Sequence, residues 1–273
     1  MTMHFGLIII GDEILSGKRQ DKHMAKVIEL LAQRGLALSH VDYVGDDRPR
    51  ITEALRRAFA SGDQVFSCGG IGATPDDHTR QCAAQALQVP LLPHPQAQAL
   101  IRERMQDTAR EQGVPFEPER ADNVQRLQMG VFPQGASIIP NPYNKIPGFS
   151  CAGANGGAVH FAPGFPVMAW PMIEWVLEQR CTQWFHRQPQ REQSVVLYGA
   201  MESVLTPLML QIEARHPGVR VFSLPSVDHP VHGAHIELGV KGAAVLVPPA
   251  WNELLQALIA TGLRMGPQTT RDL

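Results

Sequence analysis

A chain of 273 residues with 44% hydrophobic and 18% charged side chains has apolar material for one large core, or a large and a small one, which excludes global disorder. Its formal charge of −2, from 24 basic and 26 acidic side chains, gives no positive field to gather nucleic acid or an anionic membrane surface, so a bound phosphate would have to be held locally. Apolar runs such as Leu7-Ile8-Ile9-Ile10 are too short to span a bilayer, the N-terminus lacks the regions of a signal peptide, and the expected location is the cytoplasm, with no membrane or nucleic-acid partner.

In chain order, Phe5 to Ile10 reads as a buried strand, and Met24, Val27, Ile28 and Leu31 recur at helical spacing until Gly35 stops the helix. A strand near residues 38–44 and a helix marked by Ile51, Leu55, Ala58 and Phe59 lead to a short strand, residues 64–68, that runs straight into Gly69-Gly70. This β-α-β-α-β order, with right-handed crossovers, predicts three parallel strands whose carboxyl ends share one edge of the sheet. A helix after Asp77 and another over about 95–112 follow, then a stretch rich in proline and glycine, 131–157, expected to be one short strand at 137–139 and a long loop. Residues 158–162 form a further strand ending in Pro163-Gly164-Phe165-Pro166, with a helix to about Gln179. The polar stretch 187–193 reads as a linker. Beyond it, strands at 195–199, 219–224, 235–240 and 244–247, a helix carrying Val204, Leu208 and Ile212, and a closing helix from Pro249 point to a small α+β unit. The expected domains are residues 1–186 and 187–273.

Each of the first three strands delivers carboxylates to the same edge: Asp12 and Glu13, then Asp46 and Asp47, then Asp76 and Asp77 beyond the glycine loop. Open parallel sheets bind ligands outside their strand ends. Like charges gathered there repel unless a cation or a shifted pKa relieves them, and a hard divalent ion held with phosphate oxygens is the natural complement. Gly69, Gly70 and Gly72 let backbone N–H groups approach an anion at the start of the following helix. A plainer reading stays open at each place. Thr74 can cap a helix with Pro75 in its first turn and Asp77 reaching back, Asp12-Glu13 can cap the first helix, and Asp46-Asp47 can be a solvated turn. A P-loop is absent, and Gly70-Ile71-Gly72 lacks the third glycine of a dinucleotide fingerprint. His229, His232 and His235 recur every three residues, but that spacing does not suit one strand face, and Pro230 and Gly233 argue for a loop of surface histidines. Cys68, Cys82, Cys151 and Cys181 form no C-x-x-C pair and fit reduced, mostly buried thiols.

Gly11-Asp12-Glu13-Ile14-Leu15 with Gly17, then Gly45-Asp46-Asp47, then the run from Gly69 to Thr79 resemble the MoaB/Mog domain as it occurs in competence/damage-inducible protein A (CinA) and in the N-terminal half of some FAD synthetases. The resemblance resumes at Asn141-Pro142, Pro147-Gly148-Phe149 and Ala162-Pro163-Gly164-Phe165-Pro166, and Met201-Glu202-Ser203 with Pro217-Gly218-Val219 is similar to the small domain that follows in CinA-type chains. It implies a three-layer α/β/α fold with a mostly parallel sheet and a small C-terminal α+β domain. It also implies binding of molybdopterin or an adenine nucleotide, and chemistry on a pyrophosphate or adenylyl group that depends on Mg, Mn or Co. Carried over by position, Asp46 and Asp77 match acids of the pterin adenylyltransferase branch, and Gly70, Gly72, Thr74, Pro163 and Gly164 match its ligand-binding loops. CinA-type domains are associated with hydrolysis of ADP-ribose-like diphosphates, which is the expected function here. The alternative is a non-catalytic binding module in molybdenum cofactor metabolism. Asp46, Asp76 and Asp77 are the expected catalytic acids and metal ligands. Gly11, Asp12, Glu13, Gly69, Gly70, Gly72, Thr74, Thr79, Asn144, Pro163 and Gly164 are the expected substrate contacts. Two departures touch the cleft: His23 stands where CinA-type chains usually carry asparagine, and Asn144-Lys145-Ile146 replaces the usual Gly-Thr-Ala. The chain stops where full-length CinA continues into a nicotinamide-nucleotide deamidase domain, so that activity is expected to be absent. A dimer or trimer is expected from family habit and from Val240, Ala244, Val245 and Leu246, more apolar surface than a small domain hides alone.

Overall fold

The computed structural model describes residues 3–185 and 189–272. By packing, the chain divides into two compact units, Met1–Ala32 with Leu36–Phe185, and Gln33–Gly35 with His186–Leu273. The first unit opens with β1 (Phe5–Ile10), α1 (Asp12–Leu15), α2 (His23–Ala32), β2 (Leu38–Val44), α3 (Arg48–Ser61), β3 (Gln64–Cys68) and α4 (Thr79–Leu87). It continues with β4 (Leu91–Pro93), α5 (Pro95–Glu111), α6 (Ala121–Leu127), β5 (Val131–Pro133), β6 (Ser137–Ile139), β7 (Gly148–Ala152), β8 (Ala158–Ala162) and α7 (Pro166–Arg180).

Its sheet has the order β2-β1-β3-β8-β7-β6, parallel from β2 to β8 and antiparallel at the last two pairings. Every residue of β1 and β3 is buried, the pattern of strands covered on both faces. Side chains alternate between two cores: Ile8, Ile10 and Val65 pack with Ile51, Leu55 and Phe59 of α3, while Leu7, Ile9 and Phe66 pack with Val27 and Leu31 of α2 and Met172 and Val176 of α7. That makes three layers. Helix α3 shows why its residues form a helix where they do: the Asp47 side chain accepts from Arg50 N at 3.0 Å as N-cap, Pro49 sits in the first turn, and Gly62 at φ +84° ends it.

Two features tie the antiparallel strands to the parallel ones. Phe132, Phe149 and Phe161 stack with centroids 4.6 and 4.4 Å apart. Buried His160 bridges Ser150 Oγ at 2.7 Å and Gln64 Oε1 at 2.9 Å, and burial pushes its pKa down to about 3. A neutral imidazole suits both contacts, with Nδ1 accepting from the serine hydroxyl and Nε2–H donating to the amide oxygen.

The second unit comprises β9 (Gln190–Tyr198), α8 (Glu202–Arg215), β10 (Val219–His229), β11 (Gly233–Ala243), α9 (Val247–Thr261) and β12 (Arg264–Asp272), in an antiparallel sheet of order β10-β11-β9-β12. Its core joins Val195, Leu197, Leu238 and Val240 to Leu205, Ile212, Trp251 and Leu254 of the helices.

Several expectations change. The stretch 148–152 is a strand inside the presumed loop, and β4, β5, α6 and β12 arise where no element was expected. The presumed linker is β9 from Gln190 onward, its polar residues lying along a ladder, while Arg187 and Gln188 fall outside the described residues. Residues 244–246 turn into α9 rather than forming a strand. Val240 fills the second core and is unavailable for association, whereas Val245 is 81% exposed. The hairpin of β10 and β11 packs the rings of His229, His232 and His235 with centroids 4.9 to 5.7 Å apart, which strand spacing alone did not foretell. No helix among the described residues is long and apolar enough to cross a membrane.

Candidate functional site

Because β1, β2, β3, β8 and β6 all run the same way, their carboxyl ends meet at one edge. The segments leaving them are Gly11-Asp12-Glu13, Gly45-Asp46, Gly69–Thr79, Pro163-Gly164 and residues 140–147. They enclose a cleft of about 740 Å³. Of the residues singled out beforehand, Gly11, Glu13, Asp46, Gly69, Gly70, Gly72, Thr74, Asp76, Asp77, Asn144, Pro163 and Gly164 line it.

Two do not. Thr79 is fully buried beneath the loop, its hydroxyl donating to Gly69 O at 3.1 Å and its N–H to Gly70 O at 3.0 Å, so it shapes the loop instead of touching a ligand. Asp12 faces neighbouring grooves and is locked to Asp46: its N–H donates to Asp46 Oδ2 at 2.9 Å and its Oδ1 accepts from Asp46 N at 3.1 Å. This reciprocal pair pins the ends of β1 and β2 together. Asp47 turns away from the cleft to cap α3.

The Thr74–Asp77 segment is a turn, not the helix start that capping patterns allow. Asp77 Oδ2 accepts from Thr74 N at 2.8 Å and from Thr74 Oγ at 2.5 Å, Asp77 N donates to Thr74 O at 3.1 Å, and α4 begins only at Thr79. The carboxylate closes the loop on itself before the helix is nucleated. The acids differ in electrostatics. Desolvation raises the Asp46 pKa, helped by the negative charges of Asp12, Glu13 and Asp76, while hydrogen bonding within the turn holds the Asp76 carboxyl below the usual carboxylate range. The carboxylates do not by themselves fit a resident metal: among the described residues no group of three or more His, Cys, Asp or Glu side chains is placed to hold one ion, and an oxygen of Asp77 is already engaged by Thr74.

Sequence reasoning passed over other cleft residues. Lys18 and Arg19 bring positive charge opposite in sign to the acids, and the Gly17-Lys18-Arg19 run was a legible signal. Met129, Ile146, Phe165 and Met168 add apolar surface whose residues are far apart in sequence. Asn141 holds the loop over 140–147 in shape, its Nδ2 donating to Asn144 Oδ1 at 2.8 Å and Ile146 O at 2.9 Å. Lys145, in the left-handed region at φ +64°, ion-pairs with Glu103 at 2.5 Å and Asp107 at 2.6 Å on α5. His23 Nε2 lies 3.1 Å from Gly164 O, so the departure from asparagine supports a cleft wall. Cys68, next to the loop, is buried and pushed up to about 12 by desolvation, an inert thiol.

A mostly parallel sheet covered by helices on both faces, with a glycine loop and a ligand-sized cleft at its strand ends, defines a three-layer α/β domain whose candidate site lies at the carboxyl edge. Residues 6–183 match the family described as a probable molybdopterin binding domain, and the chain belongs to that MoaB/Mog-type family. Within it the similarity runs to CinA-type chains. A CinA-like protein of Anaeromyxobacter dehalogenans is 33% identical over 64% of this chain, which spans 40% of that relative's length. A protein of Caldivirga maquilingensis is 29% identical over 96% of this chain and 98% of its own. Among solved structures, the CinA protein of Thermoplasma acidophilum, whose function is described as unknown, superposes with a TM-score of 0.54 at 28% identity, over 65% of this chain and 97% of that one.

Proposed function

We propose that the first unit binds a phosphate ester of a planar heterocycle, molybdopterin or an adenine nucleotide, with the phosphates on the glycine loop and the ring against the apolar residues. The observation that carries this is the mixed lining of the 740 Å³ cleft, where Gly69-Gly70 and Gly72, with Lys18 and Arg19, share one cavity with Ile146, Phe165 and Met168. Titration calorimetry with AMP, ADP-ribose and molybdopterin tests it. Saturable binding is the expected result, and no heat from any of the three sinks the reading.

A second reading, hydrolysis of an ADP-ribose-class diphosphate, is favoured by Asp46. A carboxyl with a raised pKa beside the phosphate site is a candidate to accept a proton from an attacking water. Any Mg, Mn or Co would enter with the diphosphate as its counter-ion. Incubation with ADP-ribose and each metal, assayed for AMP, decides between turnover and capture. Asp77→Asn, which removes a cleft charge, should lower turnover by orders of magnitude, and Asp47→Asn, on the far groove, should not. Full activity in Asp77→Asn with a lowered melting temperature would leave Asp77 a structural turn residue. Self-association into a dimer or trimer and a cytoplasmic location accompany this proposal. Val245 and Leu246, exposed in the second unit, support association, which light scattering would test.

A further inference from the structure

Four successive carbonyls of the glycine loop are taken by two adjacent residues at the start of α4. Thr79 holds Gly69 O through its hydroxyl and Gly70 O through its N–H. Arg80, 5% exposed, spreads its guanidinium over the next two, Nη1 donating to Ile71 O and Nη2 to Gly72 O at 2.8 Å. No described peptide is cis, and in a trans peptide the N–H points opposite to the carbonyl it is joined to. Pulling the carbonyls of 69 to 72 toward α4 therefore turns the N–H groups of Gly70, Ile71, Gly72 and Ala73 the other way, and all four of these residues line the cleft.

We infer that Thr79 and Arg80 are positioning residues that aim a row of four backbone N–H groups into the cleft, making it a preformed receptor for a phosphate or diphosphate group. The inference deepens the binding function proposed above and rests on it for the ligand class. Burying a guanidinium is costly without a carboxylate in direct contact, and two carbonyls satisfy only part of its five donors. Asp77 supplies a compensating negative charge. A Leu or Met would fill the same space without that penalty. What the charged fork adds is orientation of two peptide planes at once and a fixed positive charge behind the loop, both of which favour an anion in front of it. Gly70 fits the same scheme: at φ +66°, a Cβ there would collide with the Thr79 hydroxyl that holds the loop. Gly72 is equally confined, since its Cβ would meet Asp77 Oδ2 at 2.6 Å.

The test uses the full chain labelled with ¹⁵N, Arg80→Lys, Arg80→Met and Thr79→Val variants, and inorganic pyrophosphate as probe. In the parent, pyrophosphate should shift the amide resonances of Gly70 to Ala73. In ligand-free Arg80→Lys, which keeps the charge but not the fork, the Gly72 and Ala73 resonances should already be displaced and exchange faster with solvent. Thr79→Val, which loses the hydroxyl on Gly69 O but keeps the N–H on Gly70 O, should do the same to Gly70 alone. Pyrophosphate affinity should fall about tenfold or more in Arg80→Met and by less in Arg80→Lys. Unchanged ligand-free loop resonances in folded Arg80→Lys and Thr79→Val would overturn the positioning role, whatever the parent binds. Parental loop resonances indifferent to pyrophosphate would instead defeat the phosphate reading, while the ligand-free spectra would still decide the roles of Thr79 and Arg80. Should Arg80→Met fail to fold, the lysine and valine variants carry the decision.

Discussion

The two larger sheets of this protein, one in each unit, differ in what their strand directions do with the connecting loops. In the first unit β1 and β3 are buried along their whole length, because helices cover both faces, and five strands send their carboxyl ends to one edge. In the second unit the strands alternate in direction, one face carries the core, and β12 has no buried residue. Alternating strands distribute their loops between two edges, so no set of loops is gathered as in the first sheet. The cleft thus follows from parallel topology before any of its residues is considered.

The comparison breaks most visibly at the glycines. Gly69 has φ +111°, and a Cβ on it would collide with the backbone carbonyl oxygen of Ile10, which cannot swing aside. Gly69→Ala should cost the first unit about 3 kcal/mol or more, read as a lower unfolding midpoint in denaturant. Gly262 in the second unit, at φ +70° with nothing within 4 Å of a Cβ, should lose only about 1 kcal/mol as alanine, because backbone preference is the whole penalty.

Acid should act on the first unit next. His160 titrates near 3 in the folded first unit and near 6.5 when unfolded, so below about pH 6.5 the unfolded chain binds a proton that the native one refuses. Stability is lost as pH falls through that window, by about 2 kcal/mol at pH 5, and His160→Gln should flatten the dependence. Melting curves between pH 7 and 5 measure it.

Helix caps give a smaller contrast. Asp47→Ala removes the α3 cap and should cost about 1 kcal/mol, whereas Met201, the N-cap position of α8, has extended backbone and no side-chain acceptor. Met201→Ser should therefore stabilise the second unit by up to about 1 kcal/mol, and an unchanged midpoint would count against a missing cap. The smallest effect is expected from Lys145→Ala. Its ion pairs are exposed at Glu103 and half-buried at Asp107, so melting should move little, but amide exchange over residues 141–147 should quicken, as it should for the parent in high salt.

Periodicity made the strands and helices of residues 5–68 legible, since each carries either an unbroken apolar run or helical spacing, and the acidic strand ends then pointed to the right edge of the sheet. Short strands such as β4, β5 and β7 were hidden because three to five residues hold too little pattern, and what makes them strands is partners distant in sequence. β12 is polar, its residues exposed or half-buried along the sheet's edge, and resembles a tail when read alone. Within the site, Asp12 and Thr79 were read as ligand contacts because residue type does not reveal direction. The first is consumed by Asp46 and the second by Gly69. Arg80 went unnoticed because an arginine three residues after an acidic pair looks like a surface charge until its burial is known.

All four thiols sit in the first unit, in β3, α4 and β7 and just past α7, and each is buried. Desolvation pushes Cys68, Cys151 and Cys181 up to about 12, so at pH 7 only about one in 10⁵ of each would be the reactive thiolate even if a reagent could reach it. Alkylation in native buffer consequently proceeds only through molecules whose first unit has opened. The protein carries its own clock for that event, with four hands in different elements and none in the second unit, and counting which cysteine is trapped first would tell which part of the first unit opens before the rest.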